Sequence, residues 1–126
     1  MEDVTKLKRI NYTALAVVVA LAAVCIAGML AFRARHSFTR EKWIEEPENR
    51  TRIVDDLLAD HALLGMTRVE VLELLGDHDN ESGYFAQEDR MVYWLGPERG
   101  LFSIDSEWLI LDFDGDVVTG CEITRD

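Results

Sequence analysis

The sequence predicts an α+β protein in which a transmembrane helix precedes a small two-layer domain, with two helices packed on a three-stranded antiparallel sheet (ααβββ). Three observations support this fold class: an uncharged apolar run, two helical patterns after it, and three later segments of strand composition. The chain then divides into a short tail (1–11), a transmembrane helix (12–32), a juxtamembrane segment (33–46) and an α+β domain (47–126).

The apolar run is Tyr12–Phe32, which contains no charged residue. Eighteen of the nineteen residues in Ala14–Phe32 are hydrophobic. A helix rises about 1.5 Å per residue, so this length crosses roughly 30 Å of hydrocarbon. Basic residues stand on both sides, as expected where side chains reach lipid head groups. We therefore expect an uncleaved single-pass anchor.

Two alternatives for this run concern processing. A secretory signal cut after residues 20–22 (Ala-Leu-Ala) leaves Ala23–Phe32 as an apolar start of the mature chain in water, which is unfavourable. Lipidation at Cys25 places the bulky Val24 where a small residue is normally needed. We favour the uncleaved anchor over both.

The net charge of −11 is unevenly distributed along the chain. From Trp43 onward there are six basic and 21 acidic residues, a net of −15, which repels a phosphate backbone. Nucleic acid is therefore excluded as a partner, whereas solubility or a basic protein surface accounts for the acidity. The flanking Lys and Arg residues do not decide the orientation, and we expect a cytoplasmic amino end with an extracytoplasmic domain.

Helical spacing predicts the first helix of the domain over about Pro47–Asp60. Proline suits the first turn of a helix, and Ile53, Leu57 and Leu58 then recur at helical intervals. The segment before it, residues 33–46, is charged and is expected to be partly helical.

The second helix, about Arg68–Leu75, carries clear start and stop signals. Thr67 and Glu70 form a capping box. Met66 before the cap and Val71 four residues after it form a hydrophobic staple. Gly76 is placed to end the helix in a left-handed conformation. Because this helix is short, it depends on packing against the rest of the domain.

Three strands are predicted after a long polar loop at residues 77–89. They are Met91–Leu95, Glu107–Phe113 and Val117–Ile123, with a turn at Gly96–Gly100 and a two-residue hairpin at Asp114-Gly115. Side chains alternate along a strand, so Trp108 and Ile110 should lie on one face of the sheet. Leu109, Leu111 and Phe113 should then lie on the other face.

Several of these segments together resemble the BamE-like (SmpA/OmlA) domain family. The residues that carry the resemblance are Leu64-Gly65-Met66-Thr67, Val71, Leu74-Leu75-Gly76, Tyr93-Trp94-Leu95-Gly96 and Leu109–Phe113, with Gly115 and Val117. The most specific part is Gly-Met-Thr at the start of a capped helix that closes on Leu-Leu-Gly, and the resemblance spans about Leu63–Ile123. It implies two helices on a three-stranded antiparallel sheet. It also implies a non-catalytic, protein-binding module outside the cytoplasmic membrane, here a membrane-anchored relative rather than the outer-membrane lipoprotein itself.

Catalytic, cofactor and metal motifs are not found in the sequence. The three histidines lack zinc spacing, and no serine stands in a nucleophile context. Asp112, Asp114 and Asp116 surround Gly115, but they do not match a calcium-binding loop. Cys25 and Cys121 fall in different parts of the chain and predict no disulfide. We therefore expect no enzyme activity, no cofactor and no metal site.

The function expected is that of a membrane-anchored protein-interaction module in cell-envelope assembly or maintenance. Tyr93, Trp94, Arg99 and Trp108 are the candidate partner contacts, because Trp, Tyr and Arg dominate interface hot spots. The alternative is an extracytoplasmic sensor or binder of a small ligand or a divalent cation, acting through the acidic loop at residues 77–89.

Overall fold

The computed structural model describes residues 2–79, 85 and 87–126. Its helices are α1 (Glu2–His36), α2 (Arg40–Glu45), a 3₁₀ helix (Pro47–Asn49), α3 (Arg50–Asp60) and α4 (Arg68–Leu75). Its strands are β1 (Arg90–Pro97), β2 (Ser106–Asp114) and β3 (Val117–Arg125), which form one antiparallel sheet in the order β1-β2-β3. The predicted α+β fold class is confirmed.

The chain forms two compact units, residues 1–35 and residues 36–126. The first unit belongs to α1, in which Asn11–His36 has a mean hydropathy of 2.8 over its most apolar window and no buried residue there. By length and composition this helix can cross a membrane, a property that anchors and amino-terminal signal sequences share. The predicted long apolar helix is therefore confirmed.

The second unit, called the folded domain below, begins at His36 rather than at Pro47. Trp43 of α2 is completely buried in its core, and the backbone N–H of Phe38 donates to the carboxylate of Asp56 in α3. The assignment of residues 36–46 to a juxtamembrane segment is thus corrected. A helix as short as α2 contains too few turns for apolar periodicity to appear in the sequence.

The main core lies between the helices and one face of the sheet. Its members come from every α-helix and strand of the folded domain and from the connection before α4: Trp43, Ile53, Val54, Leu57, Leu63, Val71, Leu75, Met91, Tyr93, Leu95, Leu109, Leu111, Phe113 and Val118. Trp108 and Ile110 form a separate buried cluster on the other face of the sheet, together with Val92. The predicted alternation along β2 is therefore confirmed.

The ends of the predicted elements show where local signals hold. The Thr67 hydroxyl oxygen accepts from the backbone N–H of Glu70 at 3.2 Å, and the same hydroxyl lies 3.3 Å from the Glu70 carboxylate. Gly76 ends α4 with a positive φ of +73°. The cap of α4 is confirmed, with the Glu70 carboxylate meeting the Thr67 hydroxyl. The first predicted helix differs, since it starts as the 3₁₀ helix and becomes α-helical at Arg50.

The two strand connections are displaced from their predicted positions. In the β2–β3 hairpin, Asp114 pairs with Val117, so the loop residues are Gly115 and Asp116. Gly115 has φ +63° at the first loop position, where a type II′ turn requires glycine. The first connection also comes later than predicted, because β1 continues through Gly96 to Pro97.

The most connected polar side chain in the core is Arg50, at the start of α3. Its Nε donates to the Trp43 carbonyl at 2.7 Å, and its Nη1 donates to the Trp94 carbonyl at 2.9 Å. The guanidinium lies 4.8 Å from the centre of the Trp43 ring and 3.4 Å from the Asp79 carboxylate. Burial lowers the pKa of Arg50, and Asp79 opposes that shift. Arg50 therefore joins α2, α3, β1 and the loop before β1.

Replacing Trp43 tests whether α2 is part of the folded domain. We expect Trp43→Ala to lower the free energy of unfolding by about 3–5 kcal/mol, because it removes a buried aromatic side chain and opens a cavity. Ile44→Ala is the matched control on the same helix, since Ile44 is 40% exposed, and it should cost less than half as much. Urea unfolding of the full chain in detergent, followed by tryptophan fluorescence, measures both. If Trp43→Ala lowered the free energy of unfolding no more than Ile44→Ala does, α2 would not be part of the core.

Candidate functional site

The four predicted partner contacts do not form one exposed patch. Tyr93 is completely buried on the inner face of β1, opposite Leu109, and its hydroxyl donates to the Gly76 carbonyl at 2.9 Å. Burial raises the pKa of its phenol. Tyr93 is therefore a core residue rather than a partner contact, because its position in the strand alternation directs it into the core.

Trp94 and Trp108 face each other across β1 and β2 on the outer face of the sheet. Trp108 is only 7% exposed, since the Phe85 ring packs against it at 6.1 Å between centroids. Its indole Nε1 donates to the carboxylate of Asp126 at 3.0 Å. The prediction that Trp108 contacts a partner is therefore wrong, because its side chain is buried within the domain. Trp94 is partly exposed and remains accessible to a partner.

Asp126, which follows β3, binds two residues at the start of β2. Its carboxylate accepts from the backbone N–H of Ser106 at 2.9 Å and from the indole of Trp108. These two hydrogen bonds lower the pKa of the Asp126 carboxyl group. The end of β3 is therefore fastened to the start of β2.

Asp79, in the acidic loop at residues 77–89, covers part of the free edge of β1. The backbone N–H of Asp79 donates to the Val92 carbonyl at 2.7 Å, and its carboxylate accepts from the Trp94 N–H at 2.8 Å. Residues 80–84 and 86 lie outside the described residues, so much of the predicted ligand loop falls there. Among the residues that the structure describes, no three potential ligands come together as a metal site. Asp79 itself is committed to the edge of β1 and to Arg50.

Within the folded domain, the most exposed large apolar side chains lie in the connection between β1 and β2, residues 98–105. Leu101 is 95% exposed, Phe102 is 75% exposed and Ile104 is 84% exposed. We call these three residues the tip. Sequence reasoning missed the tip as a site, although the signal was present: a Leu-Phe-Ser-Ile run that stands between turn residues and belongs to no strand.

Ion pairs hold the base of this loop, and we call their members the clamp: Asp55, Glu98, Arg99, Glu107 and Arg125. Arg99 donates to Glu107 at 2.9 Å and to Asp55 of α3 at 3.0 Å. Arg125 lies 3.6 Å from Glu98 and 3.8 Å from Glu107. The Glu98 N–H also donates to the Asp105 carbonyl at 2.9 Å. The clamp thereby joins α3, both ends of the loop, β2 and β3.

Arg99, the fourth predicted contact, therefore holds the loop base. Partial burial works against its charge, yet Glu107 and then Asp55 leave the pKa of the Arg99 guanidinium raised. Gly96 strengthens the same region, because with φ +115° it lets the backbone approach the 3₁₀ helix. A Cβ at Gly96 would lie 2.5 Å from the Glu48 carbonyl oxygen. The segment that leads into the loop therefore contacts the clamp through Arg99 and the 3₁₀ helix through Gly96.

This arrangement presents apolar surface on a fixed support. Burying a large apolar side chain contributes about 1.5–3 kcal/mol, so burial of the tip against a partner would favour association. A base held by ion pairs and hydrogen bonds lowers the ordering cost of binding. The geometry is therefore suited to docking against an apolar pocket on another molecule.

One cavity of about 320 Å³ brings His61 and Cys121 to the same lining. Burial raises the pKa of the Cys121 thiol, and the charge of Glu122 adds to the effect. Nucleophilic cysteines have lowered pKa values, so the raised pKa of Cys121 disfavours its reactive thiolate form.

Comparison with protein-family models, with curated proteins and with solved structures finds no match for this chain.

Loss of the buried carboxylate at the centre of the clamp should loosen the loop base. We expect Glu107→Gln to lower the free energy of unfolding by about 1–3 kcal/mol, because the charge-assisted hydrogen bond from Arg99 becomes a neutral one and the ion pair with Arg125 is lost. The exchange of the hydrogen-bonded amides of Glu98 and Ser106 with deuterium should also accelerate. Glu122→Gln is the matched control, since Glu122 is exposed and outside the clamp, and its effect should stay within about 0.5 kcal/mol. If Glu107→Gln and Glu122→Gln had the same stability and the same amide exchange, the clamp would not hold the loop base.

Proposed function

We propose that this protein is a single-pass, membrane-anchored, non-catalytic module that binds another protein through the tip. The observation that carries the proposal is the 75–95% exposure of Leu101, Phe102 and Ile104 above a base held by ion pairs. Soluble surfaces rarely keep large apolar groups together without an interaction to bury them.

The anchor in this proposal is α1. Its apolar run is long enough to span a bilayer, and basic residues flank both ends. The folded domain then lies on the extracytoplasmic side, and the chain acts in the assembly or maintenance of the cell envelope. The resemblance of Gly65-Met66-Thr67 and Leu74-Leu75-Gly76 to the BamE-like family supports that role, since the family implies a protein-binding module in that compartment.

The charge around the tip favours a protein over a lipid surface as the partner. Glu98 and Asp105 flank the tip on either side, and the folded domain has 22 acidic but only eight basic residues. An anionic bilayer repels such a surface, because lipid-binding segments usually carry Lys and Arg. The expected partner surface is therefore an apolar pocket with a basic rim.

Site-specific photo-crosslinking in native membranes tests this proposal. A benzoylphenylalanine residue is placed at position 102 of the full chain, and in a second chain at position 69 as a control. Val69 is also exposed, at 61%, but it lies on α4 outside the tip. We expect one discrete protein adduct from position 102 and no matching adduct from position 69.

The paired substitutions Leu101→Ser and Ile104→Ser should reduce that adduct by about tenfold or more, because together they remove several kcal/mol of apolar burial. An adduct that survives both substitutions, or that forms equally at position 69, contradicts a tip-mediated interaction. If position 102 crosslinked only to lipid, the tip would bind the bilayer and not a protein.

A further inference from the structure

The second half of β3 is an open edge of the sheet. β3 is the last strand in the order β1-β2-β3, and only its beginning is covered. Val118 accepts from the Gly65 N–H at 2.8 Å and donates to the Met66 carbonyl at 2.9 Å. In the described part of the chain, no backbone group outside the sheet bonds to Gly120–Arg125.

The two edges of this sheet are therefore treated differently. Asp79 closes β1 with two hydrogen bonds, as soluble proteins usually protect an exposed edge. The open part of β3 has alternate backbone N–H and C=O groups directed away from β2, which is the template for an added strand.

An apolar groove runs beside this open edge. It has a volume of about 320 Å³ and is lined by Leu58, His61, Ala62, Leu63, Leu64 and Cys121. Leu64 is 61% exposed, although it lies next to buried Leu63. Cys121 belongs to both features, since it is a β3 residue whose side chain packs toward the main core. An added strand would therefore place side chains directly over the groove.

We propose that Gly120–Arg125 binds an extended segment of a basic protein by strand addition. Side chains alternate between the two faces of a strand, so every second residue of the segment enters the groove and should be apolar. The residues between them lie on the face of Glu122, which is opposite to the face of Cys121, and should be Lys or Arg. The expected ligand alternates apolar and basic residues.

Charge selects this occupant over a second copy of the chain. The folded domain has an excess of 14 acidic residues, so two copies that approach edge to edge repel each other. A lysine-rich segment meets Glu122 instead. The site uses none of the tip residues, so it can fail or hold independently of the proposed function.

The test uses the full chain in detergent with Cys25→Ser, which leaves Cys121 as the single thiol. The probe is a short synthetic peptide in which lysine and valine alternate, and the control peptide has glutamate in place of lysine. We expect the lysine peptide, but not the glutamate peptide, to slow the alkylation of Cys121 about tenfold. It should also slow the deuterium exchange of alternate amides within residues 121–125.

Two substitutions locate the binding. Leu64→Lys and Glu122→Lys should each weaken the peptide affinity about tenfold, which corresponds to about 1.4 kcal/mol. Asp114→Lys makes the same change of charge as Glu122→Lys at the hairpin end of the sheet and should leave the affinity unchanged. Exchange of the β2 amides shows that each variant is folded, and Phe102→Ser should bind the peptide normally.

Three results would overturn this assignment. The lysine peptide fails to protect Cys121 and the β3 amides, or the glutamate peptide binds equally well. Alternatively, sedimentation shows a dimer whose 121–125 amides are already protected without peptide, which makes the second copy the occupant of the edge.

Discussion

The buried guanidinium of Arg50 is the interaction on which the other contacts of the folded domain depend. A buried charge is tolerated only when its donors and its charge are matched, and here two backbone carbonyls and the Asp79 carboxylate match it. Those partners belong to α2, to β1 and to the loop before β1. Arg50 binds the Trp94 carbonyl of β1, and two residues later Gly96 lies against the Glu48 backbone. The clamp begins two residues after that, at Glu98. The position of the tip thus follows from packing that begins at the start of α3.

The same packing explains why two surfaces are left for other molecules. Asp79 pairs with Arg50 and closes the edge of β1 with its N–H and carboxylate, whereas no comparable group in the described part of the chain closes β3 after Val118. The open edge runs toward Arg125, which is itself a member of the clamp below the tip. An apolar projection and an unpaired strand edge therefore lie at one end of the sheet, within an acidic domain that favours basic partners.

Features encoded by neighbouring residues could be predicted from the sequence. The Thr67 cap of α4 and the alternation of Trp108 with Leu109 depend on spacings of a few residues, and both are confirmed. The burial of Trp43 depends on Arg50 and on residues of β1 far along the chain, and a helix as short as α2 has no period to reveal it. Tyr93 was predictable in principle, because the alternation applied to β2 also places the β1 residue paired with Leu109 in the core. The exposure of the tip was not predicted, because the sequence of a loop does not show whether its apolar residues pack against the domain or project from it.

The planar guanidinium of Arg50, and not merely its positive charge, holds the folded domain together. Arg50→Lys keeps the charge but loses the fork that reaches the Trp43 and Trp94 carbonyls together, so two charge-assisted hydrogen bonds are not replaced. Arg52→Lys, on the exposed side of the same helix, is the matched control. In urea unfolding of the full chain, we expect Arg50→Lys to lower the free energy of unfolding by about 3 kcal/mol and Arg52→Lys to change it by less than about 0.5 kcal/mol. If Arg50→Lys is as stable as Arg52→Lys, the positive charge alone is sufficient and the guanidinium does not hold the domain together.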